Sequence, residues 1–202
     1  MESRNTSKTY VLDKHTLEDI AETIIESGFQ KDAFFIQDLD EIRRRIEYFN
    51  QMLPRVAIFY AIKSNDNEAI LKLAASLGLG FDCATPGEIY KVLKLGVHPK
   101  SIIFASPIKM PEWMAYAEKS GITHTVFDSS FELKRIKQNW PDARTLIRIR
   151  VDSESVYQLG EKFGCDFETE AIPLLNEAAE LKIKTKIIED SSKMCRVKLN
   201  LA

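Results

Sequence analysis

The sequence predicts an α/β fold built on a parallel sheet, and three observations carry that prediction. Short apolar runs alternate with amphipathic stretches from residue 56 onward. Those stretches have the length of a crossover helix, about 10–15 residues, which returns the chain to a parallel neighbouring strand. Cap signals punctuate them: Thr85-Pro86-Gly87-Glu88 reads as a capping box with proline at the first helical position, and Gly78 and Gly96 close two of the stretches. The pattern gives about six strand–helix units after Pro54, short of the eight in a closed barrel.

Before those units, residues 17–25 form an amphipathic helix with Thr16 as N-cap and with Leu17, Ile20, Ile24 and Ile25 toward a core. Ala33-Phe34-Phe35-Ile36 reads as a short strand. Asp38 can cap a helix whose apolar positions Ile42, Ile46, Phe49 and Leu53 recur at helical spacing, and Pro54 stops it. A strand, Val56-Ala57-Ile58-Phe59-Tyr60, then leads to a helix with Ile70, Leu73, Ala74 and Leu77. Gly80-Phe81-Asp82 is the next strand, and the helix after it buries Ile89, Val92 and Leu93.

Ile102-Ile103-Phe104-Ala105 and His124-Thr125-Val126-Phe127 read as strands, with a helix over residues 113–119 between them. Asp128 or Ser129 caps a helix containing Leu133 and Ile136. In the strand of residues 145–151, Leu146, Arg148 and Arg150 share one face while Ile147, Ile149 and Val151 share the other. A polar loop over residues 152–164, a helix over about 169–181 and a strand over 185–188 complete the reading.

The 202 residues carry 45% hydrophobic and 29% charged side chains, the balance of a globular protein with one or two domains. A net charge of -2 with interspersed signs points away from nucleic acid and anionic membranes as partners. No apolar run approaches a membrane span, and the polar N-terminus lacks a signal-peptide core, so the expected location is the cytoplasm. Cys83, Cys165 and Cys195 show no metal-ligand spacing, and no metal is expected. Cys83 reads as a small buried filler, and His15, His98 and His124 have no partner spacing.

Lys63 is the residue with the most chemistry in reach. It follows a buried strand and opens the polar turn Ser64-Asn65-Asp66-Asn67. An amine partly desolvated at the mouth of a strand loses its proton more readily and becomes a nucleophile toward carbonyls.

Four blocks carry a family resemblance. The first is Tyr60-Ala61-Ile62-Lys63-Ser64-Asn65 followed by Ile70, Leu71, Ala74 and Gly78; the second is Gly80-Phe81-Asp82-Cys83-Ala84 with Glu88. The third is Phe127-Asp128-Ser129 with Glu132-Leu133. The fourth is Leu146-Ile147-Arg148-Ile149, then Asp152-Ser153, Leu159 and Lys162-Phe163-Gly164. Together they resemble the fold-type III pyridoxal-phosphate decarboxylases that act on ornithine, diaminopimelate and arginine, and within these the ornithine branch.

The resemblance implies the N-terminal part of an alanine-racemase-like TIM barrel and a carbon–carbon lyase that converts L-ornithine to putrescine in polyamine synthesis. It implies that Lys63 holds pyridoxal 5'-phosphate through its amine, with Asp82 beside the ring and Ala61 packed close to it. Glu88 and Arg148 would form a supporting charge pair. Family members are homodimers and bind antizyme; residues from about 111 to 135 resemble the antizyme-contacting part. A non-catalytic antizyme-inhibitor role is the alternative. Such relatives tend to lose the acid at the position of Asp82 and the arginine at that of Arg148, and this chain keeps both. A third reading, a barrel-only carrier of the cofactor, needs a phosphate loop near the C-terminus that is not seen here.

The expected organisation is an N-terminal helix and strand segment over residues 1–36, a partial cofactor-binding barrel over 37–188 and a divergent tail over 189–202. Beyond about residue 186 the family pattern is lost; Ser191 stands where the family has a ring-stacking histidine. These departures lead to the expectation of a truncated or splice-variant chain. It would lack the phosphate cradle, the last two units and the C-terminal β-domain, and have little activity of its own.

Overall fold

The computed structural model describes residues 15–150, 163–186 and 195–199. The chain divides into two compact units, residues 1–49 and 50–202.

In the first unit, α1 (Leu17–Glu26) starts on a reciprocal capping box in which Thr16 accepts from the Asp19 N–H and Asp19 accepts from the Thr16 N–H. The expected core face does not form: α1 buries no residue, Ile20 and Ile24 are half-buried, and Leu17 and Ile25 are exposed. Residues 33–36 are not a strand, and the Phe35 side chain is fully exposed. Aromatic and β-branched side chains favour extended backbone, but a strand needs a ladder partner, and this run has none among the described residues. Asp38 accepts from the N–H groups of Asp40 and Glu41 at the start of α2 (Leu39–Met52), as its sequence position predicts.

The second unit is a parallel sheet with helices between its strands. Its strands are β1 (Val56–Ala61), β2 (Gly80–Cys83), β3 (Ile102–Phe104), β4 (His124–Phe127), β5 (Arg144–Ile147), β6 (Lys184–Lys186) and β7 (Cys195–Leu199). The spatial order is β6-β5-β4-β3-β2-β1-β7, and every pairing is parallel. The helices are α3 (Glu68–Ser76), α4 (Pro86–Lys94), α5 (Pro111–Lys119), α6 (Ser130–Asn139) and α7 (Ala171–Glu180). Six strands thus match the predicted units. β5 is shorter than expected and is followed by a single bridge, Ile149 to Cys165. Val151, most of the following loop and Ser191 lie outside the described residues. The expected divergent tail contributes β7, which runs beside β1 in the register Val56 to Cys195 through Tyr60 to Leu199.

Alternation along the strands decides what the sheet presents on each face. Ala57 and Phe59 of β1 cluster with Ile103, Ala105, Val126 and Leu146 on one face. Ala61 continues that face at the C-terminal end of β1, and Asp82 is its register partner. Arg148, two residues past Leu146, continues the same face beyond β5. Gly80 is required here by close approach: a Cβ at Gly80 would meet the Phe59 ring at 2.4 Å. Among the described residues no helix is long and apolar enough to cross a membrane, and no cluster of metal-ligating side chains occurs.

Candidate active site

The C-terminal ends of parallel strands share one edge of a sheet, and loops leaving that edge build the binding sites of α/β folds. Lys63 leaves it from a single 3-10 turn, Ile62–Ser64, directly after β1. The turn is fixed from within. Ser64 donates to the Ala61 carbonyl at 2.6 Å, buried Tyr60 donates to the Asn65 carbonyl at 2.9 Å, and Asn65 accepts from the Asn67 N–H at 3.0 Å. Asn67 then caps α3 by accepting from the Ala69 N–H.

Lys63 lines an open cleft of about 530 Å³ together with Ile62, Ser64, Asn65, Asp66 and Glu88. Its side chain is exposed, whereas the sequence suggested partial desolvation. The strand end buries Ala61 and Ile62 completely, but the one-turn helix swings the next side chain outward.

Asp82 is 7% exposed and level with Ala61 on β2. Glu88, half-buried in the first turn of α4, accepts from the Ala84 N–H at 2.6 Å, while the Thr85 hydroxyl accepts from the Glu88 N–H at 3.2 Å. The predicted helix start is present, with the glutamate reaching back to the residue before the cap. Arg148 lies three strands from Asp82; its N–H bonds the Phe127 carbonyl at 2.8 Å, and its guanidinium stacks over Phe163 at 4.9 Å. The expected Glu88–Arg148 pair is not formed, because the Ala84 amide engages Glu88 and the Phe163 ring engages Arg148. The structure thus brings Lys63 and Glu88 to one cleft, sets Ala61 and Asp82 side by side behind it, and leaves Arg148 on the same sheet face.

Two charge clusters were not foreseen. Lys91 of α4 meets Asp66 of the Lys63 turn and holds its carboxyl below the usual range. Lys109 and Glu132 form an ion pair at 2.7 Å with both side chains fully buried. Lys109 also donates to the carbonyls of Ser106 at 3.0 Å and Val126 at 2.9 Å, and Arg135 donates to the Lys109 carbonyl at 2.5 Å. Burial pushes the Lys109 amine below its ordinary range, and Glu132 opposes that shift. The partners lie 23 residues apart, a separation that carries no periodic signal.

The family model for the pyridoxal-binding domain of pyridoxal-dependent decarboxylases matches residues 39–186. The chain belongs to this family. Ornithine decarboxylase of Panagrellus redivivus is 43% identical over 151 residues, covering 74% of this chain and 34% of that protein. Antizyme inhibitor 2 of Xenopus laevis is 40% identical over 155 residues, covering 75% and 34%. The arginine decarboxylase of Paramecium bursaria Chlorella virus superposes with a TM-score of 0.80 at 34% identity, over 85% of this chain and 46% of that one. The chain therefore spans about a third of the length of these curated relatives. The sheet is the N-terminal barrel part of the fold-type III decarboxylases, and the family's cofactor is pyridoxal phosphate. The cleft suits that cofactor on its own geometry: an accessible primary amine stands at the rim, with a buried carboxylate one strand away.

Proposed function

We propose that this chain forms the cofactor-anchoring part of an ornithine decarboxylase, with Lys63 as the covalent anchor. The supporting observation is the position of Lys63: an exposed amine on a rigid turn, at the C-terminal end of a buried strand, in an open cleft. Pyridoxal phosphate, when bound, supplies an electron sink for the carbanion left by loss of carbon dioxide. The residues of this chain supply orientation and charge. Lys63 presents its amine to the aldehyde; Asp82, buried beside Ala61, sets its carboxyl group near the ring; Ala61 leaves room for the ring through its small side chain. Arg148, braced on Phe163, contributes positive charge to the same face, and Glu88 holds the start of α4 against the cleft. The reaction this serves is conversion of L-ornithine to putrescine in polyamine synthesis, carried out in the cytoplasm by a homodimer. The 202-residue chain by itself turns over little substrate.

The 40% identity to an antizyme inhibitor favours a second reading, a non-catalytic regulator that binds antizyme. Retention of Asp82 and Arg148 supports the enzyme reading over it. Titration with pyridoxal phosphate, borohydride reduction and peptide mapping tests the first reading, which expects the label on Lys63. Co-purification with antizyme tests the second; no association removes it.

A further inference from the structure

The cleft at Lys63 is not electrically neutral. Asp66 and Glu88 line it with Lys63, and Asp82 lies on the adjoining strand. Carboxylates lining the cleft of a lysine favour its protonated form, and a protonated amine cannot attack an aldehyde. Near the turn in sequence, the Tyr60 phenol is committed to the Asn65 carbonyl, and Glu68 at the start of α3 is paired with Lys72 at 2.6 Å. Lys91 stands apart from these. It projects from α4, one turn after Glu88, and closes on Asp66 across 25 residues of sequence.

Stability does not account for the Lys91–Asp66 pair. Its side chains are 52% and 60% exposed, and exposed pairs contribute little to folding. The turn itself is already locked by the Ser64, Tyr60 and Asn65 hydrogen bonds. What the pair changes is the charge in the cleft that Asp66 lines with Lys63.

We propose that Lys91 is a positioning residue for the charge of the cofactor site: by neutralising Asp66 it favours the uncharged amine of Lys63 that condenses with an aldehyde. In such a condensation the uncharged amine would supply its lone pair to the carbonyl carbon, and its two hydrogens would leave with the carbonyl oxygen as water as the carbon–nitrogen double bond replaces the carbon–oxygen one. The inference rests on the reading of Lys63 as the cofactor anchor and extends it to a residue on another element.

The test measures the reactivity of Lys63 directly. The 202-residue chain and its K91M, K91R, D66N and D66N/K91M variants are trace-labelled with acetic anhydride between pH 7 and 11. Peptide mass spectrometry then reads the acetylation of Lys63 against Lys72 in the same digest. At low salt K91M slows acetylation of Lys63 near pH 8 by about threefold, the size of effect that one nearby charge exerts in a high-dielectric setting. K91R behaves as the native chain, D66N labels at least as fast, and D66N/K91M loses the slowing. Raising the ionic strength to about 0.5 M collapses the difference, because exposed charges are screened. Native-rate labelling of K91M overturns the proposal, and so does a slowing that persists in D66N/K91M or at high salt. Acetylation reads Lys63 whether or not pyridoxal phosphate binds. A charge effect without pyridoxal-phosphate trapping on Lys63 would refute the anchor reading alone.

Discussion

Replacing Lys109 with methionine removes the cation that Glu132 and the carbonyls of Ser106 and Val126 bind. Glu132, fully buried, would keep only the Lys109 N–H at 3.2 Å and the Arg135 guanidinium at 3.8 Å, while the carbonyls of Ser106 and Val126 would lose their donor. Removing one partner of a buried ion pair costs about 3–5 kcal/mol. That is a large part of the roughly 5–15 kcal/mol typical of a whole domain. K109M/E132L removes both charges at similar volume and leaves the two carbonyls and the backbone N–H of residue 109 without these partners, each costing about 1 kcal/mol or somewhat more. Urea unfolding followed by circular dichroism should therefore rank K109M below K109M/E132L, with the native chain above both. The pH dependence supplies a second check. Burial lowers the folded-state value of Lys109 below its ordinary 10.5, so the unfolded state binds more protons between the two values and stability rises with pH across that window. K109M/E132L should lose that rise. A double variant less stable than K109M, by the sum of the single effects, would refute the claim that the two charges compensate each other.

Gly80→Ala should cost about 1–3 kcal/mol in the same assay, because its Cβ would meet the Phe59 ring at 2.4 Å in the neighbouring strand. An unchanged unfolding midpoint would contradict the packing described. The Cys83 thiol is fully buried, and burial raises it far above the ordinary thiol range, so native protein should leave it unreacted with iodoacetamide at pH 8 while unfolded protein reacts. Lys63→Ala should abolish cofactor trapping while shifting stability by no more than about 0.5 kcal/mol, since the side chain is exposed. A collapse in stability would assign Lys63 a structural role.

The strands and helices from residue 56 to 181 were legible because their signals are local. Apolar runs of strand length, the Thr85 cap and the closing glycines each act over a few residues. Lys63 was legible for the same reason, as a lysine at the junction of a buried strand and a polar turn. What escaped depends on contacts between distant segments. Residues 33–36 have the composition of a strand, but composition cannot supply a ladder partner. The stretch over residues 195–199 became a strand by pairing with β1, a choice made by the sheet edge. Glu88 and Arg148 were expected to meet, and competing local partners, the Ala84 amide and the Phe163 ring, engage them instead. The Lys109–Glu132 pair is invisible in sequence because a single lysine among Ile108, Met110 and Pro111 reads as a solvated loop residue.

The central claim is that Lys63 anchors the cofactor, and trapping tests it most directly. The 202-residue chain is incubated with pyridoxal phosphate near pH 8, reduced with borohydride and mapped by peptide mass spectrometry. An anchoring role predicts saturable labelling concentrated on the peptide containing Lys63 and absent from Lys63→Ala. Labelling spread evenly over exposed lysines such as Lys72, Lys91 and Lys134, or unchanged in Lys63→Ala, would contradict it.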